Sequence, residues 1–307
     1  MSMADRICSS ALPRESYSMN HALSVPHSTK KTVFITGGAS GIGLATATKL
    51  AAQGCRIALV DRAGDEVALA AQRLGAEHIG IEADVTSIES LESAAAKVMT
   101  EFGRIDAIVA NAGIGSASTV RASSSEQLLR IIDVNLAGQI RTVKATLEYV
   151  IASRGYITFT CSAAVLKHTP KSSVYAAAKA GIDAFAGALR LEVLHHGVDV
   201  GVFYPGWTKT PMLQGPASRA ETSKGLPWPF NITNSVDDVA DAYAGSILRR
   251  ARTTYVPRIY RLFHALRPIH TGSNWDRRQR ASAAENVRAW EVDLDTRNEN
   301  QLNGAQQ

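Results

Sequence analysis

The sequence predicts an α/β fold in one large domain, a doubly wound parallel sheet of about seven strands with helices on both faces. Three observations predict it. Short apolar, β-branched runs recur along the chain and alternate with helical patterns. The runs are continuously apolar rather than alternating, as strands covered on both faces are. The positions with chemical content all fall at the carboxyl ends of those runs, where such sheets bind their ligands. At 307 residues, 45% hydrophobic and 20% charged, the chain is long enough to bury a full core.

The fold begins at Lys31. Thr32-Val33-Phe34-Ile35-Thr36 is a compact strand, followed at once by Gly37-Gly38-Ala39-Ser40-Gly41-Ile42-Gly43 and a helical pattern from Leu44 to Gln53. Strand, glycine turn and helix make a phosphate cradle: glycines let backbone N–H groups approach an anion that the helix N-terminus attracts. The plainer reading is a tight turn with no ligand, and three glycines beside small Ala39 and Ser40 weigh against it. Cys55 to Val60 is a second strand, ending in Asp61. An acid about 20 positions after such a turn is placed to bind the adenosine ribose hydroxyls and to repel a 2′-phosphate. Arg62 follows directly, but no Lys or Arg stands inside the glycine loop, so NAD is favoured over NADP. A cap or turn residue is the other reading of Asp61.

The alternation continues. His78 to Glu82 is a strand leading to Asp84-Val85, and Ser87 to Phe102 a helix capped by Ser87. Arg104 to Ala110 closes in Asn111-Ala112-Gly113. Ser125 to Ile151 reads as one long helix with Asn135 near its middle, where an amide competes for backbone hydrogen bonds. It either braces a kink, with Gly138 just beyond, or holds a water there. Gly155 to Cys161 and Val198 to Tyr204 are the fifth and sixth strands, the latter running into Pro205-Gly206-Trp207-Thr208-Lys209-Thr210. Thr254 to Pro257 adds a seventh. Between the sixth and seventh, Trp207 to Ser235 is proline-rich and reads as a covering loop. Its Met212, Leu213, Leu226, Trp228 and Phe230 either line a lipophilic pocket or anchor the loop.

Ser172 to Leu194 is a long alanine-rich helix on which Tyr175 and Lys179 share a face, one turn apart. An ammonium near a phenol favours the phenolate, and a phenol so tuned can carry a proton near neutral pH. Ser162, at the end of the fifth strand, can offer its hydroxyl to the same substrate oxygen. Alone, a Tyr-x-x-x-Lys pair is most simply a solvated amphipathic pair.

In company it is more. Thr36-Gly37-x-x-x-Gly41-Ile42-Gly43, Asp84, Asn111-Ala112-Gly113, Asn135, Ser162, Tyr175, Lys179 and Pro205-Gly206 stand in the order of the short-chain dehydrogenase/reductase family. The sequence resembles that family over roughly residues 31–257, with two local departures, Cys161 before the serine and Ala178 before the lysine. The resemblance implies a Rossmann-like NAD(P)-dependent oxidoreductase acting on CH–OH groups. It implies that Tyr175 passes the proton while hydride moves at the nicotinamide, and that Ser162 binds the substrate oxygen. Lys179 binds the nicotinamide ribose and favours ionised Tyr175, and Asn135 holds a water linking Lys179 to solvent. Gly37, Ser40, Gly41, Ile42 and Gly43 bind the pyrophosphate, Asp61 and Arg62 face the ribose, and Asp84 and Val85 flank the adenine. Asn111, Ala112 and Gly113 complete the crevice with Pro205, Gly206, Thr208 and Thr210, the last fixing the carboxamide.

A secondary alcohol or ketone on an apolar skeleton, steroid-like, retinoid-like or an acyl chain, is the leading substrate class. A non-catalytic protein of the same fold that senses NAD(H) through a partner is the alternative; it predicts loss of Tyr175 or Lys179, and both are present.

The remaining composition narrows partners and place. Three scattered cysteines (Cys8, Cys55, Cys161) form no disulfide framework and no metal spacing, which fits a reducing cytoplasm. No apolar run reaches the roughly 18 residues of a membrane span. Residues 1–30 read as a flexible extension, 258–280 as a basic amphipathic segment and 281–307 as a frayed tail. From Arg249 to Arg280 nine arginines meet one acid, Asp276; that stretch carries +8 of a chain whose total is +5, leaving the rest at −3. Within it Ile259, Leu262, Phe263 and Leu266 fall at helical spacing. Packing against the body or a second subunit is favoured over contact with a membrane surface, and no base-reading module suggests nucleic acid. A homodimer or homotetramer is what the resemblance implies.

Overall fold

The computed structural model describes residues 30–115, 119–213 and 226–266. Along the chain run β1 (Thr32–Thr36), α1 (Gly41–Ala52), β2 (Arg56–Asp61), α2 (Gly64–Leu74), β3 (Ile79–Glu82), α3 (Ile88–Phe102) and β4 (Ala107–Ala110). Then follow α4 (Ser125–Ile132), α5 (Gly138–Ser153), β5 (Tyr156–Thr160), α6 (Ser173–Val193) and β6 (Asp199–Pro205). Last come β7 (Trp207–Thr208), β8 (Thr233–Asn234), α7 (Val236–Leu248), β9 (Thr253–Val256) and α8 (Tyr260–Ala265). Seven strands form one sheet in the order β3-β2-β1-β4-β5-β6-β9, every pair parallel. The order reverses between β1 and β4, which opens a crevice at their carboxyl ends.

The inner strands are largely apolar and buried because both faces are covered. In β1, Val33 and Ile35 enter a layer with Leu50, Leu59, Val109 and Tyr243, while Phe34 enters the opposite layer with Val60, Ile108, Phe159 and Ile182. Each such side chain, wholly removed from water, contributes about 1.5–3 kcal/mol, so the two layers outweigh any single polar contact. Helix starts follow local chemistry. Ser87 Oγ accepts the Ser90 N–H (3.1 Å), and Ser124 with Gln127 closes a reciprocal capping box at α4.

The structure redraws two stretches. The single helix expected over Ser125 to Ile151 is α4 and α5 joined by a π-helical turn, Asp133–Ala137. Asn135 Nδ2 donates to Ile131 O, one turn back, and to Ile114 O, both at 3.0 Å. The amide thus takes over a carbonyl of the helix ladder and ties the turn to the chain leaving β4. In the segment expected as loop, β7 and β8 form a short parallel ladder, with Lys209 N donating to Asn234 O (3.1 Å) and Asn234 Nδ2 to Trp207 O (3.0 Å). Two further helices, α2 and α7, carry no motif and cover one face of the sheet.

Of the basic segment expected over 258–280, residues 258–266 are described, and six of them form the short helix α8. Tyr260 is wholly buried and Phe263 packs inward, whereas Leu262 and Leu266 are exposed. Residues 1–29 and 267–307, with the extension, the tail and the later arginines, lie outside the described residues. No helix among the described residues is long and apolar enough to cross a membrane.

Candidate active site

The glycine turn is shaped by need. Gly37 (φ +66°) and Gly41 (φ +56°) adopt left-handed backbone that favours glycine. Gly43 lies where a Cβ would stand 2.1 Å from Gly37 O and 2.7 Å from Asn111 Nδ2, so no side chain fits. Ser40 precedes α1 with no side-chain bond to the helix, and Ile42 packs toward the core below. A methyl on Gly41 would meet the Thr210 methyl at 3.6 Å, which puts the loop after β6 across the same crevice from the turn.

Asp61 ends β2 and braces that turn. Its Oδ2 accepts Ala39 N–H (3.1 Å) and its Oδ1 accepts Ala63 N–H (3.3 Å). The turn-residue reading is therefore realised, and a carboxylate with about four lone-pair sites still has room to accept ribose hydroxyls. Asp84 is held below the usual carboxylate range, chiefly by the Thr86 N–H on its Oδ1, aided by the Thr86 hydroxyl and the charges of Arg62 and Arg130, with partial burial opposing. Arg62 itself is exposed. Val85 is buried and fills the space that Gly138 leaves at the start of α5.

Asn111 is a strut. Its Nδ2 donates to Thr36 O and Gly37 O (both 3.1 Å), and its Oδ1 accepts from Thr160 Oγ1 (3.1 Å), which also pairs with Tyr243 OH (3.0 Å). One amide thus locks β1, β4 and β5 together behind the glycine turn. Ala112 N adds a bond to Thr36 Oγ1 (3.3 Å).

Lys179 of α6 and Asn135 of the π-turn meet at Gly113. A Cβ there would lie 2.6 Å from Asn135 Oδ1 and 3.6 Å from Lys179 Nζ. Both Tyr175 and Lys179 are buried, not solvated, and the ammonium lies 5.7 Å from the Tyr175 ring centroid. Lys179 Nζ donates to Thr160 O at 2.8 Å. Asn135 is wholly buried, and its Oδ1 has no hydrogen-bonding partner among the described residues. Ser162 caps a short 3-10 turn (Ala163–Val165), its Oγ accepting Ala164 N–H (3.1 Å). Cys161 is inert: burial pushes its thiol up to about 12, and Sγ donates to Lys179 O (3.3 Å). Thr208 and Thr210 are nearly buried beyond β6, Thr208 Oγ1 bonding Gly206 O (2.9 Å). At Gly206 a Cβ would meet the Tyr260 ring at 2.9 Å and Val256 O at 3.1 Å. Pro205 closes β6 opposite Val256.

The residues present fit a nicotinamide dinucleotide. The turn carries four glycines with small Ala39 and Ser40, an acid stands at the end of β2, and an orphaned buried oxygen and a buried ammonium stand at the other end. Among the described residues no cluster of His, Cys, Asp or Glu suits a metal. Four residues at the site carry no motif: Gln139, Thr160, Tyr243 and Tyr260. Gln139 is wholly buried; its Nε2 donates to Thr160 O (3.3 Å) and Ala112 O (3.5 Å), and with the amide turned it bridges Ala110 O (3.2 Å) and Lys179 Nζ (3.1 Å) instead. Its one faint sequence signal is a position four after Asn135, on the same helical face.

Residues 31–221 match the family described as short chain dehydrogenase. A cis-2,3-dihydrobiphenyl-2,3-diol dehydrogenase of Paraburkholderia xenovorans is 33% identical over 201 residues, 64% of this chain and 72% of its own. A (−)-trans-carveol dehydrogenase of Rhodococcus erythropolis is 34% identical over 202 residues, 60% of this chain and 73% of its own. Among solved structures, a short chain dehydrogenase/reductase from Burkholderia phymatum in complex with NAD matches with a TM-score of 0.69 at 23% identity. It covers 79% of this chain and 96% of its own, a likeness of fold.

Proposed function

The chain belongs to the short-chain dehydrogenase family, an oxidoreductase family, and we propose that it interconverts a secondary alcohol and a ketone with NAD in preference to NADP. One observation carries the reading: a buried ammonium, Lys179 Nζ, stands beside the buried Tyr175 ring on the crevice side of β5. A bound nicotinamide supplies or takes up the hydride at the substrate carbon. All other steps belong to the chain. Tyr175 gives the substrate oxygen its proton in reduction and removes it in oxidation. Lys179 keeps a positive charge beside the ring that turns negative when that proton leaves. Ser162 donates to the same oxygen as charge develops on it. Asn135 Oδ1 accepts from a water that links Lys179 to solvent.

For the cofactor, Gly37, Ser40, Gly41, Ile42 and Gly43 hold the pyrophosphate and Asp61 the adenosine ribose. Asp84 and Val85 flank the adenine, and Ala112, Gly113 and Lys179 meet the second ribose. Thr208 and Thr210 hold the carboxamide. Asn111 serves through its strut. An apolar substrate skeleton is supported by the relatives named for a dihydrobiphenyl diol and for carveol, both alcohols on hydrocarbon rings. We extend the proposal to a catalytic unit over residues 31–257, assembled as a homodimer or homotetramer through α5 and α6. Exposed Ala177, Ala184, Ala188 and Leu191 on α6 support that face.

The test is NAD(H)- and NADP(H)-linked absorbance change across lipophilic secondary alcohols and ketones, with Tyr175→Phe as blank. Turnover with NAD should fall by at least about 1,000-fold in the variant while NADH binding stays within a few-fold. Unchanged turnover would remove Tyr175 as the proton carrier.

A further inference from the structure

We propose that Gln139 is the positioning residue that sets the Lys179 ammonium for this reaction; the inference rests on the reading above. A lysine head on a flexible four-carbon stem has no fixed place of its own. Here one of its three N–H bonds is taken by Thr160 O at 2.8 Å, and a second reaches Gln139 Oε1 at 3.1 Å when the amide is turned toward it. The amide has two orientations. In one, Nε2 donates to Thr160 O at 3.3 Å and Ala112 O at 3.5 Å but sets donor against the ammonium. In the other, Nε2 donates to Ala110 O at 3.2 Å and Oε1 accepts from the lysine, and this second orientation is the one proposed. One N–H of Lys179 then remains for the side where Gly113 leaves room and Asn135 Oδ1 stands.

The side chain chosen matters as much as its place. A carboxylate here would hold the ammonium equally well but would cancel its charge. A neutral amide fixes the head and leaves the field intact at the Tyr175 ring, 5.7 Å away. Gln139 stands in the first turn of α5, directly after the π-turn that carries Asn135. The register of that turn therefore sets Asn135 and Gln139 together, from one face, against the lysine. Ala110 at the end of β4 and Thr160 at the end of β5 hold Gln139 and Lys179 to the sheet, so the geometry is built on rigid elements.

Two substitutions separate positioning from mere packing. Gln139→Met keeps volume and removes the acceptor; kcat should fall about tenfold or more, with KM for the alcohol nearly unchanged. Gln139→Glu keeps shape and adds a negative charge. The pH profile of alcohol oxidation should then move to higher pH by about one unit, because ionised Tyr175 loses its support. In the unsubstituted protein without cofactor, NMR should correlate the Lys179 ammonium protons with the Gln139 side chain. Variants that melt like the parent yet keep its kcat and pH profile would overturn the assignment. So would an ammonium with no proximity to Gln139, a result that needs no variant to fold. If Tyr175→Phe retains turnover, the catalytic reading itself fails. If Tyr175→Phe is inactive and both Gln139 variants are unaffected, only the Gln139 assignment falls.

Discussion

The two walls of the crevice are built by different means. On the β1–β4 side, the shape is carried by backbone. Ala39 N–H lies on Asp61, the Asn111 amide clasps Thr36 O and Gly37 O, and Gly43 packs against Gly37 O with no room for a methyl. On the β6–β9 side, rings do the same work. Phe230 stacks on Tyr260 (5.2 Å between centroids) and meets Phe263 edge-on (5.1 Å), and Tyr204 stacks on Tyr255 (4.6 Å). The difference teaches which wall can change. Backbone contacts of this closeness tolerate little alteration, whereas packed rings can be exchanged for other side chains of similar volume.

Three substitutions probe that contrast, in falling order of effect. Gly43→Ala strikes backbone that cannot yield. NADH affinity, read by fluorescence titration, should fall by more than about 100-fold, and stability by about 3 kcal/mol. A variant that binds NADH normally would show that the backbone wall is softer than its contacts imply. Gly206→Ala strikes a ring instead. Stability should fall by about 1–2 kcal/mol in denaturant melts, with NADH affinity kept and the alcohol KM raised. Adding Tyr260→Leu should return part of the loss, since the two residues touch and their effects do not add. Loss of NADH binding in Gly206→Ala would merge the two walls into one unit. Asp61→Ala should move the NAD/NADP ratio of kcat/KM toward NADP by about tenfold. A ratio unchanged by that substitution would leave Asp61 as the brace of the turn and no more.

Much of this was legible beforehand because it depends on local rules. The strands, the glycine turn, the Ser87 cap and the Tyr175–Lys179 pair follow from side-chain period, positive φ and capping chemistry acting over a few residues. The π-turn was half legible: Asn135 pointed to a disturbed helix, but the carbonyl of Ile114 that draws its amide is 21 positions away. Gly206 read as part of a ligand loop, and the fold gives it a packing reason in the Tyr260 ring.

By itself, then, the sequence determined the seven strands of the main sheet, the glycine turn after the first of them and the candidate residues for moving a proton. Only the tertiary structure decided which of those residues meet. Asn111 reaches Thr36 across 75 positions and Lys179 reaches Thr160 across 19. Such distances are set by strand order and by the layers packed on the sheet, which no spacing along the chain encodes. The Gln139 contact with Lys179 is of this kind. It arises because the π-turn packs against both α5 and α6, which brings the start of α5 to Lys179 beside the end of β5.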